Sequence, residues 1–171
     1  MPTYLLTWNP ERWQWNYIQK SIAQIETDGF CFEPWSVGVT KKIHTGDRVF
    51  LMKLGEKPRG ISASGWVTSD TYEDKHWDDN SKNAFYVDVH FDAIIDPSQE
   101  PIFSIELLQD KIYSAVNWTP QASGMSIPDD VAEHPFSPVT ITSTICPFVS
   151  VLVVKVFDAP FCLLTPPTLK L

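Results

Sequence analysis

The residues of this chain with the most evident chemistry are its seven tryptophans, several of which stand among polar residues and turn formers. Trp35 precedes Ser-Val-Gly, Trp77 stands in His-Trp-Asp-Asp, and Trp118 precedes Thr-Pro-Gln. An indole held in a polar loop offers a flat face to a ligand, and nucleobases are flat, uncharged molecules that stack on such faces. The alternative is that the rings fill a small core, as aromatic side chains commonly do. The pattern therefore indicates base binding or core packing.

A base pocket also needs donors and acceptors for the polar edge of the base. Hydroxyl and amide groups close to the loop tryptophans would supply them. The aromatic and polar residues that could form such a pocket are Trp35, Ser36, Tyr72, Trp77, Trp118, Gln121 and Ser123.

Other site chemistries find little support in the sequence. The three cysteines form no Cys-x-x-Cys pair, and the four histidines are scattered without ligand spacing. An acidic group around His76 could attract a divalent cation, although carboxylates in a polar loop are more often simply solvated. Its members are Asp74, His76, Asp78 and Asp79. We therefore expect no catalytic residues, no metal and no cofactor, with a metal-dependent enzyme as an alternative.

The charge balance argues against a large electrostatic contact with nucleic acid, because the formal net charge is -8. An acidic domain can still use a local basic strip, with weak and salt-sensitive affinity. The basic residues between positions 41 and 59 are Lys41, Lys42, Arg48, Lys53, Lys57 and Arg59. Of these we expect Lys41, Lys42 and Arg59 to contact phosphates.

Local patterns predict strands at residues 3–8, 48–54, 61–69 and 84–92. Asn9 before Pro10 predicts the start of a helix over residues 10–27, ended by Asp28-Gly29. The stretch around Trp35 is expected to be irregular and residues 70–83 to be a long polar loop. Short helices are expected at 105–110 and after Pro128. The predicted fold is α+β, a mixed β-barrel of about five to six strands with flanking short helices.

The composition divides the chain into a domain at residues 1–134 and an atypical tail at 135–171, which has almost no charge. This composition favours a poorly ordered segment or a product of truncation or frameshift, with a β-hairpin or a partner-binding strand as the alternative. The apolar run at 145–157 is too short to span a bilayer, so no membrane partner is expected. The first residues lack a secretory leader pattern, which predicts a cytoplasmic protein.

Several motifs occur in a characteristic order between residues 3 and 133. They are Trp8-Asn9-Pro10, Trp35-Ser36-Val37-Gly38, Gly46-Asp47-Arg48-Val49, Pro58-Arg59-Gly60-Ile61, Ala63-Ser64-Gly65, and the run from Trp118 to Gly124. Together they resemble the EVE domain of the PUA-like superfamily, in the version found at the N-terminus of modification-dependent HNH endonucleases. YTH readers of methylated adenine are related to this family.

The resemblance implies a PUA-like barrel that accepts a flipped, modified base in an aromatic pocket. Trp35-Ser36 corresponds to the first YTH cage element, and Val37 departs from it because YTH domains have threonine there. Trp77 corresponds to the second cage tryptophan. Tyr72 and Trp118 are further candidate walls, while Gln121 and Ser123 are candidates to contact the polar edge. Trp8, Trp13 and Trp15 are assigned to packing of the first helix, and Trp66 to a barrel strand.

The expected function is therefore non-enzymatic recognition of a modified DNA base, 5-methylcytosine or 5-hydroxymethylcytosine, as the specificity domain of a restriction or defence system. A fused or associated nuclease would supply cleavage, since the HNH module that accompanies the family is not in this sequence. Recognition of modified RNA is the alternative, and the sequence does not indicate an oligomeric state.

Overall fold

The computed structural model describes residues 1–133, which form one sheet and a few short helices. Within this part of the chain there are eight strands and two α-helices. The strands are β1 (Thr3–Trp8), β2 (Cys31–Ser36), β3 (Arg48–Lys53), β4 (Gly60–Val67), β5 (Tyr72–Lys75), β6 (Asn83–Ile94), β7 (Phe103–Ser104) and β8 (Met125–Ile127). The helices are α1 (Ile18–Asp28) and α2 (Asp129–Ala132), with 3-10 turns at Leu107–Gln109 and Lys111–Tyr113.

All eight strands belong to one mixed sheet with the order β2-β6-β4-β3-β1-β8, while β5 pairs with β6 and β7 pairs with β4. Strands β1 and β3 are parallel, and the other pairs are antiparallel. The mostly-β α+β class is therefore confirmed. The sheet is open in residues 1–133, because β2 and β8 end the order without pairing with each other. The predicted mixed β-barrel of about five to six strands is not confirmed, because the described sheet is not closed.

The alternation of side chains along the central strands produces a core on each face of the sheet. In β3, Val49 and Leu51 belong to the first core, whereas Phe50 and Met52 belong to the second. Helix α1 and the residues before it cover the first core. The segment between β7 and β8, together with α2, contributes to the second core. The first core contains most of the tryptophans and positions the candidate site.

Helix α1 begins at Ile18, so the predicted start at Pro10 is wrong. Asn9 instead caps a turn, because its Oδ1 accepts the Glu11 N–H at 2.9 Å and its carbonyl accepts the Trp13 N–H at 3.0 Å. The carbonyl of Trp13 accepts the indole N–H of Trp8 at 3.0 Å, which occupies an acceptor that a helix would use. The predicted helix end is confirmed by Gly29, which has φ 84°.

Two segments predicted to be irregular are strands. Residues around Trp35 form β2, which pairs with β6, and the expected loop at 70–83 contains β5. Strand β5 exists because β6 extends back to Asn83, beyond the point where β4 stops pairing with it at Val67. The predicted helix at 105–110 is a 3-10 turn, and a helix follows Pro128 as predicted. The predictions for the tail concern residues outside the described chain.

Neither helix of residues 1–133 has the length and apolar character that crossing a bilayer requires.

Candidate functional site

Trp35 lies on the buried face of β2 and is 7% exposed. Its ring contacts Trp13, with centroids 5.6 Å apart and planes at 87°, and Trp15, with centroids 5.2 Å apart. Its indole N–H donates to the carbonyl of Thr7 at 3.2 Å. Trp35, predicted to line a pocket, therefore has its ring inside an aromatic cluster, and its indole N–H is hydrogen-bonded to the backbone.

The residues between β1 and α1 complete this cluster. Trp8 meets Trp15 edge to face at 5.8 Å, and Trp13 is 5.8 Å from Trp15. We call Trp8, Trp13, Trp15 and Trp35 the tryptophan cluster. Tyr17 flanks it, with its ring 6.4 Å from both Trp13 and Trp15.

Sequence reasoning assigned the first three members to packing of a helix and so missed that Trp13 and Trp15 contact the ring of Trp35. One signal could have indicated this arrangement. Trp13 and Trp15 are two positions apart, and residues with that spacing do not share a face of a helix.

The indole nitrogens of the cluster differ in how they are satisfied. Trp8 Nε1 donates to the Trp13 carbonyl and Trp35 Nε1 to the Thr7 carbonyl. Trp15 is 4% exposed, and its Nε1 has no hydrogen-bond partner within residues 1–133. Leaving such a buried donor unpaired costs about 1–3 kcal/mol. This N–H is therefore available for an acceptor that would have to enter the cluster.

Two loops meet beside the cluster at the end of β1. The backbone N–H of Thr7 donates to Ser123 Oγ at 3.2 Å, and Val37 is fully buried. Gly124 has φ 85°, and a Cβ on it would lie 2.7 Å from the Val37 carbonyl oxygen and 2.5 Å from Thr40 Cγ2. The structure thus brings Trp35, Val37 and Ser123 together, because glycine allows the two loops to touch.

Tyr72 and Trp77 belong to a different part of the surface. The Tyr72 ring stacks on Tyr86 at 6.2 Å, and its hydroxyl donates to Asp88 at 2.8 Å. Burial and the Asp88 carboxylate hold the pKa of Tyr72 well above its usual range. Trp77 is 44% exposed, stacks on His76 at 5.4 Å, and donates its backbone N–H to Tyr86 Oη at 3.0 Å.

This placement separates the two predicted cage tryptophans. In the register of β2 and β6, Trp35 is opposite Val87 and Ser36 is opposite Tyr86. Neighbouring residues of β6 point to opposite faces of the sheet. Ser36 therefore shares the face of Tyr86, which holds Trp77, while Trp35 lies on the other face. The arrangement of Trp35 and Trp77 as two walls of one cage is not what residues 1–133 form.

Trp118 and Gln121 also lie apart from Trp35. Trp118 is 6% exposed in the second core, where its indole N–H donates to the Tyr113 carbonyl at 2.8 Å. Gln121 is exposed at the start of the loop that leads to Ser123. Trp118 is therefore a core residue rather than a third wall.

The predicted basic contacts are exposed, but they are few. Lys41 lies with its Nζ 4.5 Å from the centroid of Phe85, and Lys42 follows it in the loop after Val37. Arg59 hydrogen-bonds the Gly55 carbonyl within the β3–β4 turn. Lys53, another member of the basic strip, is buried and donates to the carbonyls of Glu56 and Pro58. These contacts make Lys53 a structural residue.

The acidic group around His76 is dispersed. Asp79 accepts hydrogen bonds from Ser81 and pairs with Lys82 at 2.9 Å, and both interactions lower its pKa. Nowhere in the described part of the chain do three or more histidine, cysteine or acidic side chains lie close enough to hold a metal ion.

A polar group lies beside the tryptophan cluster, between β2 and α1. Glu33 accepts hydrogen bonds from Tyr17 Oη at 3.1 Å and from Ser21 Oγ at 3.2 Å. Burial raises the pKa of Glu33, although the two hydroxyl donors oppose this rise. Burial and the Glu33 charge raise the pKa of Tyr17 to about 12 and that of Cys31 to about 11.

No protein-family model and no curated protein matches the chain. Solved structures do match it. A hypothetical protein from Leishmania major aligns with a TM-score of 0.53 and 16% identity over 76% of this chain and 88% of its own. Proteins from Pseudomonas syringae and Pseudomonas putida align with TM-scores of 0.53, at 15% and 14% identity, over 75% of this chain and 93% of their own. At these identities the likeness is one of fold.

Proposed function

We propose that this protein binds a modified nucleobase, most directly 5-methylcytosine or 5-hydroxymethylcytosine in DNA, after the base has left the helix. The observation that carries the proposal is the buried Trp15 N–H, which has no partner within residues 1–133, inside a cluster of four tryptophans. A base combines a flat face for the indole rings with ring or carbonyl acceptors for the N–H.

The energetics are compatible with base extrusion. Unstacking and unpairing a base costs a few kcal/mol. Stacking returns about 1–3 kcal/mol for each aromatic face. Pairing the Trp15 N–H with an acceptor of the base relieves an unsatisfied donor. Trp13 is partly exposed and Tyr17 is exposed, so these two rings mark the side from which a base would enter.

We also propose that the sheet is an incompletely closed PUA-like barrel of the EVE type, as the resemblance of residues 3–133 implies. The hydrogen bond from Trp35 on β2 to Thr7 on β1 supports strong curvature, since these strands stand first and fifth in the sheet order. The likeness to solved structures concerns the fold alone and is compatible with this assignment.

The charges suit a binding domain of modest affinity. Lys41 and Lys42 follow the loop that touches Ser123, and Arg59 lies in the turn whose Gly55 packs against Asn9. These cations would contact phosphates on either side of the extruded base. In this proposal the domain is a specificity module without catalytic activity of its own, and a fused or associated nuclease acts on the bound DNA.

The test is a titration of the protein against matched duplexes that carry one modified base each, with the same sequences as DNA and as RNA. We expect the tightest binding to a DNA duplex with 5-methylcytosine or 5-hydroxymethylcytosine. Tighter binding to modified RNA would replace DNA with RNA as the ligand. Equal binding to modified and plain duplexes of both kinds would contradict the proposal.

A further inference from the structure

Glu33 is a carboxylate at the edge of the tryptophan cluster that the base-binding proposal leaves unused. It lies two residues from Trp35 on the same side of β2, because alternate residues of a strand share a face. Tyr17, whose hydroxyl holds one oxygen of Glu33, is also the aromatic neighbour of Trp13 and Trp15. Tyr17 therefore contacts both Glu33 and the tryptophan cluster.

The hydrogen bonds of Glu33 leave it with unused acceptor capacity. Oε2 accepts from Tyr17 and Oε1 from Ser21, and each carboxylate oxygen can accept a second hydrogen bond. None of the ion pairs within residues 1–133 includes Glu33. A half-buried carboxylate without a cation is costly unless further donors reach it. A donor from a bound ligand would meet that need.

We infer that Glu33 selects bases with an exocyclic amino group, such as cytosine derivatives, over bases with a carbonyl group at that position. The inference rests on the proposed function. In such a complex the Trp15 N–H donates to an acceptor of the base, while Glu33 accepts from its amino group. Acidic side chains recognise cytosine through this amino group in protein–DNA complexes. A carbonyl in its place would face the carboxylate with like polarity and disfavour binding.

A matched pair of bases tests this inference directly. 5-Methylcytosine and thymine share the ring methyl group and differ at the amino or carbonyl position and at the adjacent ring nitrogen. Each is placed opposite an abasic site in the same DNA duplex, so that neither has to break a base pair. We expect the wild-type protein to bind the 5-methylcytosine duplex about tenfold or more tightly than the thymine duplex.

Substitution of Glu33 should change this ratio. Glu33→Gln keeps the shape of the side chain but adds an amide donor that can bind the thymine carbonyl, so the preference should fall to about twofold or less. Glu26→Gln, on an exposed position of α1, removes the same charge and should leave the ratio unchanged. Tyr17→Phe removes a hydroxyl that orients Glu33 and should lower the preference without adding a donor.

The outcomes separate this inference from the proposed function. Equal binding of both duplexes by the wild-type protein, with unmethylated cytosine bound more weakly, would overturn the role of Glu33 and leave base recognition intact. An unchanged preference in a folded Glu33→Gln variant would also overturn it. Absence of binding to every modified duplex would contradict the proposed function itself. If Glu33→Gln does not fold, the test is the ratio of the two affinities in the wild-type protein and in Tyr17→Phe. An equal ratio in these two proteins would then overturn the role of Glu33.

Discussion

Trp35 on β2 donates its indole N–H to the carbonyl of Thr7 on β1, 3.2 Å away, although these two strands do not pair. Thr7 also donates its backbone N–H to Ser123 Oγ, so its two backbone polar groups are both held by side chains. The bond holds β2 next to the end of β1, beside the tryptophan cluster.

Trp35→Phe should therefore destabilise the protein. Phenylalanine keeps an aromatic ring but leaves the part-buried Thr7 carbonyl without its donor, at a cost of about 1–3 kcal/mol. The free energy of unfolding from urea titration measures this loss. Trp77→Phe, at the exposed hairpin position, is the control and should change stability by less than about 0.5 kcal/mol. Similar small effects in both variants would show that the Trp35 bond adds no stability.

Trp15→Phe should be less destabilising, because it leaves no backbone carbonyl without its donor. The substitution removes a buried donor that has no partner in residues 1–133, so the relieved cost offsets part of the lost ring contacts. We expect a loss of stability smaller than that of Trp118→Phe, which removes the buried hydrogen bond from the Trp118 indole to the Tyr113 carbonyl. Thermal unfolding of both variants under identical conditions tests the order. A larger loss for Trp15→Phe would mean that its N–H is satisfied in the free protein.

Gly124→Ala should separate the two loops beside the cluster. The new Cβ would lie 2.5 Å from Thr40 Cγ2 and 2.7 Å from the Val37 carbonyl oxygen, and the residue would also have a positive φ. Gly46→Ala is the matched control, because Gly46 has φ 95° with nothing within 4 Å of a Cβ. Both variants pay for the backbone conformation, about 1 kcal/mol. Only Gly124→Ala should lose more than this in urea unfolding, and equal losses would contradict the loop contact.

The stability of the protein should fall in alkaline solution. Cys31 has its pKa raised to about 11 by burial and by Glu33, so the thiol ionises more readily in the unfolded chain than in the folded one. Its contribution is fully present below its usual pKa and is lost as the pH rises toward about 11. Cys31→Ala removes this dependence and should flatten the decline of unfolding free energy between about pH 9 and pH 11. Parallel declines for both proteins would contradict this role.

Much of the sheet could be predicted from local sequence. Strands β1, β3, β4 and β6 have apolar patterns bounded by turn residues, and Gly29 ends α1 as expected. Strand β2 escaped prediction because Glu33 and Pro34 interrupt its apolar pattern. Strand β5 escaped because its four residues are polar, and only pairing with the extended β6 makes them a strand.

The candidate site was less predictable, because hydrogen bonds from indole N–H groups to backbone carbonyls decide it. Trp118 stands among polar residues, yet it is buried since the Tyr113 carbonyl satisfies its indole. Trp13 and Trp15 follow an apparent helix start, yet the Trp8 indole occupies the Trp13 carbonyl and the helix begins later. The sequence singled out Trp35 as a candidate site residue, but its neighbours could not be deduced from spacing along the chain.

The most direct test of the central claim is the NMR signal of the Trp15 indole N–H during titration with a 5-methylcytosine duplex. The signal is assigned by its absence in Trp15→Phe, and the Trp118 signal serves as the internal control. If a base enters the tryptophan cluster, the Trp15 N–H resonance should move downfield as it gains an acceptor and saturate with the binding curve, while that of Trp118 stays in place. A Trp15 resonance that does not move when the protein is saturated with modified DNA would contradict the account.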